Sequence, residues 1–170
     1  DLRTLATTFT ATGRLEAIVL RPQRRGAAVQ VTEAEAVPQR GLTGDHTARG
    51  RSAKRQITLL QAEHLSVIEA LTGRAVPATD LRRNLVISGI NLLGARSPFA
   101  DVVLHIHIGP AVVIEATGPC APCSRMEEIL GPGGYNAMRG HGGITARVLV
   151  GGVMQVGNDV RIVSQPIRSP

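Results

Sequence analysis

Apolar and polar residues alternate along most of this chain in short runs bounded by glycine and proline, which is the period of strands with one buried face. Val102, Leu104, Ile106 and Ile108 fall on one side of such a run, and Val103, His105 and His107 on the other. The same reading predicts a strand over 14–21, stopped by Pro22 and the Arg24-Arg25-Gly26 turn. A second covers 29–37, where the apolar phase slips between Val31 and Ala34 and marks a bulge or a half-exposed edge. Further strands are predicted over 56–60, 85–88, 111–116, 144–150, 153–156 and 160–163. Helical spacing is clear where Ala62, Leu65, Ile68 and Leu71 recur before Gly73. A second, short helix is predicted from Arg125 to Leu130, ended by Gly131-Pro132-Gly133-Gly134. Ser124 and Glu127 have capping-box spacing, so the Ser124 hydroxyl is expected to accept from the backbone near Glu127, whose carboxylate reaches back to the Ser124 amide.

Regular alternation of strand and helix is absent, which argues against a doubly wound parallel sheet. The fold class expected is mostly β (α+β), an antiparallel barrel with a few peripheral helices. Residues 1–12 read as a leader or edge segment, 13–163 as one barrel domain, and 164–170, with two prolines, as a disordered tail.

Composition narrows the function classes. With 170 residues and 43% hydrophobic content the chain can bury a core and is not generally disordered. No apolar run is long enough to span a bilayer, so no membrane partner is expected. There is no charged-then-apolar leader, and the first residue is Asp1, so the natural start is expected to be missing. Two cysteines three positions apart would staple almost nothing, which points to a reducing, cytoplasmic setting and a chemical role. A formal charge of +6 calls for an anionic partner. Aromatic residues make up only 2% (Phe9, Phe99, Tyr135), too few for base-stacking platforms, and no long basic run is present. A small anionic molecule therefore leads, and a basic nucleic-acid-binding module with inert cysteines is the competing reading.

The candidate chemistry centres on Thr117-Gly118-Pro119-Cys120-Ala121-Pro122-Cys123-Ser124-Arg125-Met126. Cys123 lies just ahead of the predicted helix, with Arg125 near in sequence, a setting that favours the thiolate, which is both a nucleophile and a soft metal ligand. The competing reading is a cysteine buried as a small hydrophobe. Arg82, Arg83 and Asn84 stand at the entrance of the 85–88 strand, where guanidinium forks match phosphate oxygens and an amide can bond a heterocycle edge. Against this, adjacent residues alternate across a strand and one arginine can simply face water. The cationic loop over 39–55, which includes Lys54 and Arg55, is either solvated or a cover that brings charge to an anion. His105 and His107 could bind metal or form the wetter strand face. The 135–143 stretch, with His141, reads as a loop whose glycines let backbone approach a ligand.

In order and spacing these pieces resemble the MOSC domain, named after the C-terminal part of molybdenum cofactor sulfurase. The resemblance runs from about Gly13 to Val163 and rests on Gly13-Arg14-Leu15-Glu16-Ala17-Ile18 with Arg21-Pro22, Gly41-Leu42-Thr43-Gly44-Asp45-His46, Arg55-Gln56-Ile57-Thr58-Leu59-Leu60, Arg82-Arg83-Asn84-Leu85 with Gly89, and Pro122-Cys123. It implies a β-barrel that binds the molybdenum cofactor (molybdopterin), with Cys123 as the catalytic residue and molybdenum ligand or as the carrier of a persulfide. It places Arg82, Arg83 and Asn84 at the cofactor's phosphate and pterin, with Lys54, Arg55 and His141 as further cofactor-binding candidates. Among stand-alone members the chain is similar to reductases of N-hydroxylated small molecules; the alternative is a sulfur carrier for metal–sulfur cofactor assembly. Electrons or sulfur would come from a separate reductase or a cysteine desulfurase, since no flavin, iron–sulfur or pyridoxal-phosphate motif is present. Cys120 is a thiol that many members lack, and a Cys120/Cys123 redox pair stays open.

Overall fold

The computed structural model describes residues 1–166. In chain order its strands are β1 (Gly13–Leu20), β2 (Val29–Val31), β3 (Glu33–Val37), β4 (Gly41–Leu42), β5 (Ile57–Gln61), β6 (Leu85–Ser88), β7 (Val102–Ile108), β8 (Val112–Pro119), β9 (Ile144–Val150), β10 (Gly152–Gln155) and β11 (Asp159–Pro166). The helices are α1 (Leu2–Thr7), α2 (Glu63–Thr72), α3 (Ala78–Leu81), α4 (Ser124–Leu130) and α5 (Gly134–Met138), with short 3₁₀ turns at His46–Arg49 and Leu92–Ala95.

Strands β11-β7-β8-β9-β5-β6-β1 hydrogen-bond in that order, and β11 pairs back onto β1, Gly13 opposite Val160, to close a seven-stranded barrel. β2 extends the sheet outside the ring by pairing with β1, and β10-β3-β4 form a separate three-stranded sheet. The expected antiparallel barrel is thus observed, with one exception: β5 and β6 are parallel, joined by a crossover through α2 and α3. The phase slip after Val31 is the point where the chain leaves the barrel sheet, since β2 pairs with β1 and β3 with β10 and β4.

Alternation accounts for the core. Leu104, Ile106 and Ile108 of β7 point inward to meet Leu15, Leu59, Ile87, Ile114, Ala146 and Val160. β5 is buried on both faces: Leu59 enters the barrel, while Leu60 points outward into a second cluster with Ile68, Leu81, Met126, Leu130 and Met138. Burying six such side chains at roughly 1.5–3 kcal/mol each is what mounts the helices, and with them the cysteine segment, on the barrel wall.

Several expectations are corrected. The leader carries α1, whose first turn is capped by the Asp1 carboxylate accepting from the Thr4 amide at 3.0 Å and which is tied to the barrel side by Arg3 and Asp101. The 135–143 stretch is not all loop, because α5 occupies its first part. β11 runs on to Pro166, so residues 164–166 are strand and not tail, and 167–170 lie outside the described residues. No helix among the described residues is long and apolar enough to cross a membrane.

Candidate functional site

β8 delivers the cysteine segment. Its last residue, Pro119, pairs with Ile144, and the Cys120 amide donates to the Gly143 carbonyl at 2.8 Å, which anchors the strand end against β9. Cys120 is buried and Cys123 exposed, both as free thiols. Between them the chain continues without turn or bend, as expected with Ala121 held extended by Pro122. Cys123 is itself the N-cap of α4, with extended backbone (φ −129, ψ 176), and its carbonyl accepts from the Met126 amide at 2.9 Å. The Ser124–Glu127 capping box does not form, because Ser124 is already inside the helix. Glu127 reaches forward instead, accepting from the Tyr135 amide at 2.7 Å and the Gly133 amide at 2.8 Å, and these donors hold its carboxyl below the usual range. That contact clamps the start of α5 to α4.

Arg82 and Arg83 diverge. Arg83 is 4% exposed and donates to three backbone carbonyls: Leu81 at 2.8 Å, Gly142 at 2.8 Å and Cys120 at 3.4 Å. It staples the strand entrance to the cysteine segment and to the 139–143 loop. Gly142 is required at this point, since a Cβ there would sit 2.3 Å from the Cys120 carbonyl oxygen and 3.2 Å from Arg83 Nη2. Burial lowers the Arg83 guanidinium from its ordinary value, opposed by the nearby Cys120 and Cys123 thiols and reinforced by Arg55 and Arg21. Arg82 is half-buried with left-handed backbone (φ 56), and its Nη1 donates to the Gly26 carbonyl. Burial and the Arg21 and Arg125 charges lower it, with Asp45 and Cys123 opposing. Arg125 Nη2 donates to the Arg25 carbonyl, adjacent to that of Gly26, at 3.3 Å, which brings Arg82 and Arg125 to the same turn, and Cys123 lies two residues before Arg125. Arg25 and Arg125 both pair with Glu128, at 2.9 and 3.0 Å, and lock the 22–28 segment onto α4.

Asn84 has no exposure and no capacity left for a ligand. Its Oδ1 accepts from Arg21 Nη2 (3.0 Å), the Thr58 amide (3.1 Å) and Thr58 Oγ1 (3.2 Å), while Nδ2 donates to Asp45 Oδ1 (3.0 Å) and the Val19 carbonyl (3.1 Å). The expected amide contact to a heterocycle does not suit this geometry: Asn84 belongs to the fold. Its partners Arg21 and Asp45 form a buried ion pair, Nη2 to Oδ2 at 2.8 Å and Nε to Oδ1 at 3.0 Å. Burial alone would raise the Asp45 carboxyl, but the Arg21 guanidinium and the Thr47 and backbone donors outweigh it and hold it at about 2. Arg21 Nη1 also donates to the Arg82 carbonyl at 3.3 Å, which links the network to the site. Arg21 and Asp45 both fall in stretches that carry the family resemblance, but nothing local in the sequence marks two residues 24 apart as partners.

The remaining candidates are more peripheral. Arg55 is exposed yet near enough to act on Arg83, whereas Lys54 is exposed and contributes its carbonyl to the Thr117 hydroxyl. His141 is half-buried, its Nδ1 3.3 Å from the Ala137 carbonyl and its ring edge-on to His64 at 5.3 Å. His105 and His107 stand on the partly exposed face of β7, and no group of three or more potential metal ligands gathers among the described residues. A cavity of about 310 Å³ runs along Cys120, Ala121 and Pro122. A larger one, about 690 Å³, lies elsewhere, by Arg40 and Arg51.

A family model described as the MOSC domain matches residues 42–161. The chain belongs to the MOSC domain family. The matched span of the MOSC domain holds the cysteine segment and the Arg82–Asn84 strand entrance, whereas β1, which closes the barrel, lies before it. Solved structures agree on the fold. The YuaD protein of Bacillus subtilis superposes with a TM-score of 0.73 at 17% identity, over 91% of this chain and 98% of that one. YiiM of Geobacillus stearothermophilus gives 0.65 at 18% identity, over 89% and 75%, and YiiM of Escherichia coli 0.66 at 19%, over 89% and 70%. A search of curated proteins found no match.

Proposed function

We propose that this MOSC domain binds the molybdenum cofactor, with Cys123 as the molybdenum ligand, and acts as an oxidoreductase on N-hydroxylated compounds with electrons from a separate reductase. The observation that carries the reading is the exposed Cys123 thiol, two residues from Arg125 and on the segment whose Cys120 carbonyl accepts from the buried Arg83. This donor set fits the group: thiolate is the soft ligand that molybdenum favours, and the guanidinium of Arg82 suits a phosphate. When bound, the cofactor supplies the two-electron redox centre for removing oxygen from an N–OH group. The chain's own part is to present and orient. α4 and the Glu127 clamp fix the Cys123 backbone, Arg83 holds the segment through the Cys120 carbonyl, and Arg82, which has no acidic partner among the described residues, offers positive charge to an anionic group.

The exposure of Cys123 also favours a second reading, a sulfur carrier, because an accessible thiol can take the sulfane sulfur from a desulfurase persulfide, which leaves as a thiol. Metal analysis of protein made in a cofactor-competent host separates the two. Near-stoichiometric molybdenum that disappears in Cys123→Ser and survives in Cys120→Ser supports the reductase. Absence of molybdenum together with a cyanide-labile sulfur on Cys123 supports the carrier and refutes the reductase.

A further inference from the structure

The turn between β3 and β4, the loop before β5 and strand β9 converge on the open cavity of about 690 Å³. Cys123 takes no part in its lining, nor does any residue of the cofactor reading. Three arginines from these three elements border it: Arg40, Arg51 and Arg147. Arg147 is already engaged, with Nη2 2.7 Å from Glu115 Oε2. Arg40 and Arg51 have no acidic partner among the described residues, so the cavity gathers positive charge that the protein itself leaves unbalanced. Its floor is firm. Val148 and Leu149 line it, and the Gln56 carboxamide accepts from the Val148 amide at 2.9 Å while donating to the Ser52 carbonyl at 3.0 Å.

The turn that carries Arg40 holds one residue in a conformation that L side chains seldom adopt. Val37, Pro38, Gln39 and Arg40 form a tight turn, closed by the Arg40 amide on the Val37 carbonyl at 3.1 Å. Gln39 has φ +64 at the position where such a turn favours glycine. Gln39 lines the cavity beside both free arginines. Backbone strain of this kind gathers at ligand sites.

We propose that this cavity is a second binding site, for a phosphorylated small molecule of mononucleotide size. Arg40 and Arg51 take the phosphate, for which guanidinium forks are matched in shape. The apolar body rests on Pro38 and Leu149, and the volume falls in the range of small-molecule sites.

Calorimetric titration with AMP at low salt tests this, with adenosine as the arm that lacks phosphate. AMP is expected to bind and adenosine to bind at least roughly tenfold more weakly, and Arg40→Ala and Arg51→Ala should each weaken AMP by roughly tenfold or more. Arg161→Ala, a charge removed elsewhere on the barrel, and Cys123→Ser should leave AMP affinity unchanged, which keeps this outcome separate from the fate of the cofactor reading. Gln39→Gly should raise Tm while weakening AMP, a pair of opposite effects that a purely structural residue does not give. The proposal is overturned by no AMP binding at millimolar concentration, or by equal affinity in wild type and both arginine variants. It is overturned equally by a raised Tm in Gln39→Gly without loss of AMP. Salt-sensitive retention of random duplex DNA without AMP binding would overturn it in favour of a nucleic-acid surface.

Discussion

Asp45→Asn is expected to be the most damaging near-isosteric change in this protein, although residue 45 touches no ligand in any reading given above. The Asp45 carboxylate accepts from the Arg21 amide at 2.7 Å, from Arg21 Nε and Nη2 at 3.0 and 2.8 Å, from Asn84 Nδ2 at 3.0 Å, and from the Thr47 amide at 3.2 Å and its hydroxyl. Arg21 and Asp45 are 6% and 2% exposed. An asparagine keeps the volume but leaves the Arg21 charge buried without a counter-charge and turns an NH2 toward donors. Breaking one side of a buried pair costs about 3–5 kcal/mol, against a total stability of roughly 5–15 kcal/mol. With a urea dependence of about 2 kcal/mol per molar, the midpoint should fall by roughly 2 M at unchanged slope. Acid gives an independent readout. The folded carboxyl is held at about 2, below an unfolded value of about 3.9, so its contribution is fully present above about pH 4 and is lost as pH falls toward 2. That contribution is of order 2 kcal/mol. Other carboxylates titrate in the same window, so the test is the difference between the two proteins' urea midpoints, which should narrow from pH 5 to pH 2. A midpoint shift below about 0.5 M, or a difference independent of pH, would refute the network as the source of stability.

Three further outcomes are expected. Arg82→Ala should leave the urea midpoint nearly unchanged and cut molybdenum-cofactor occupancy at limiting cofactor by roughly ten- to a hundredfold, whereas Arg83→Ala should lower stability by about 3 kcal/mol, since it strips three buried carbonyls of their donor; the opposite pattern would exchange their roles. Gly142→Ala should destabilise the fold and expose Cys120 to alkylation under native conditions, because the new Cβ meets the Cys120 carbonyl at 2.3 Å and unseats Arg83; unchanged Cys120 protection would contradict this. His64 is held below its ordinary value by burial and by His141, with Glu63 opposing, and its Nδ1 is buried without a partner. The unfolded chain therefore takes up the proton more readily, stability falls as pH drops below about 6.5, and His64→Gln should flatten that slope between pH 7 and 5, which thermal melts at fixed ionic strength would show or refute.

What could be read from the chain was what alternation and local chemistry determine. β7 announced itself because Leu104, Ile106 and Ile108 share a buried face, and the cysteine segment did so through prolines and a following helix. Pairing was not legible in the same way. Ile57–Leu60 and Leu85–Ile87 are short apolar runs that look alike whether parallel or antiparallel, and only the crossover through α2 and α3 makes them parallel. Arg82 and Arg83 show the limit at a strand entrance, where period 2 predicts that two neighbours part but not which one goes inside. Arg83 went in because the carbonyls of Leu81, Cys120 and Gly142 converge there, and two of them come from segments 37 and 59 residues away. Glu127 has the right spacing for a capping box, yet the amides after Gly131 offer it two donors at once, a competition visible only when α5 is in place.

Arg83 also bears on which thiol the proposed function would use. Its three carbonyl partners satisfy N–H groups but not charge, and no carboxylate pairs with it among the described residues. A buried guanidinium without an anion is costly to keep. Negative charge on the cysteine segment, as a thiolate or as an anionic group held there, relieves that cost, and the Cys120 and Cys123 thiols are the nearby groups that favour the charged arginine. Geometry then divides the two thiols. Cys120 is buried, and the chain runs straight from it to Cys123. At about 3.3 Å per extended residue, positions three apart stand roughly 10 Å from each other, beyond the 4.4–6.8 Å that a disulfide spans between Cα atoms. A dithiol mechanism would first have to unseat the Cys120 amide from Gly143 and the Cys120 carbonyl from Arg83. Cys123 needs no such rearrangement, because it already lies at the surface beside Arg82, with its backbone fixed by α4.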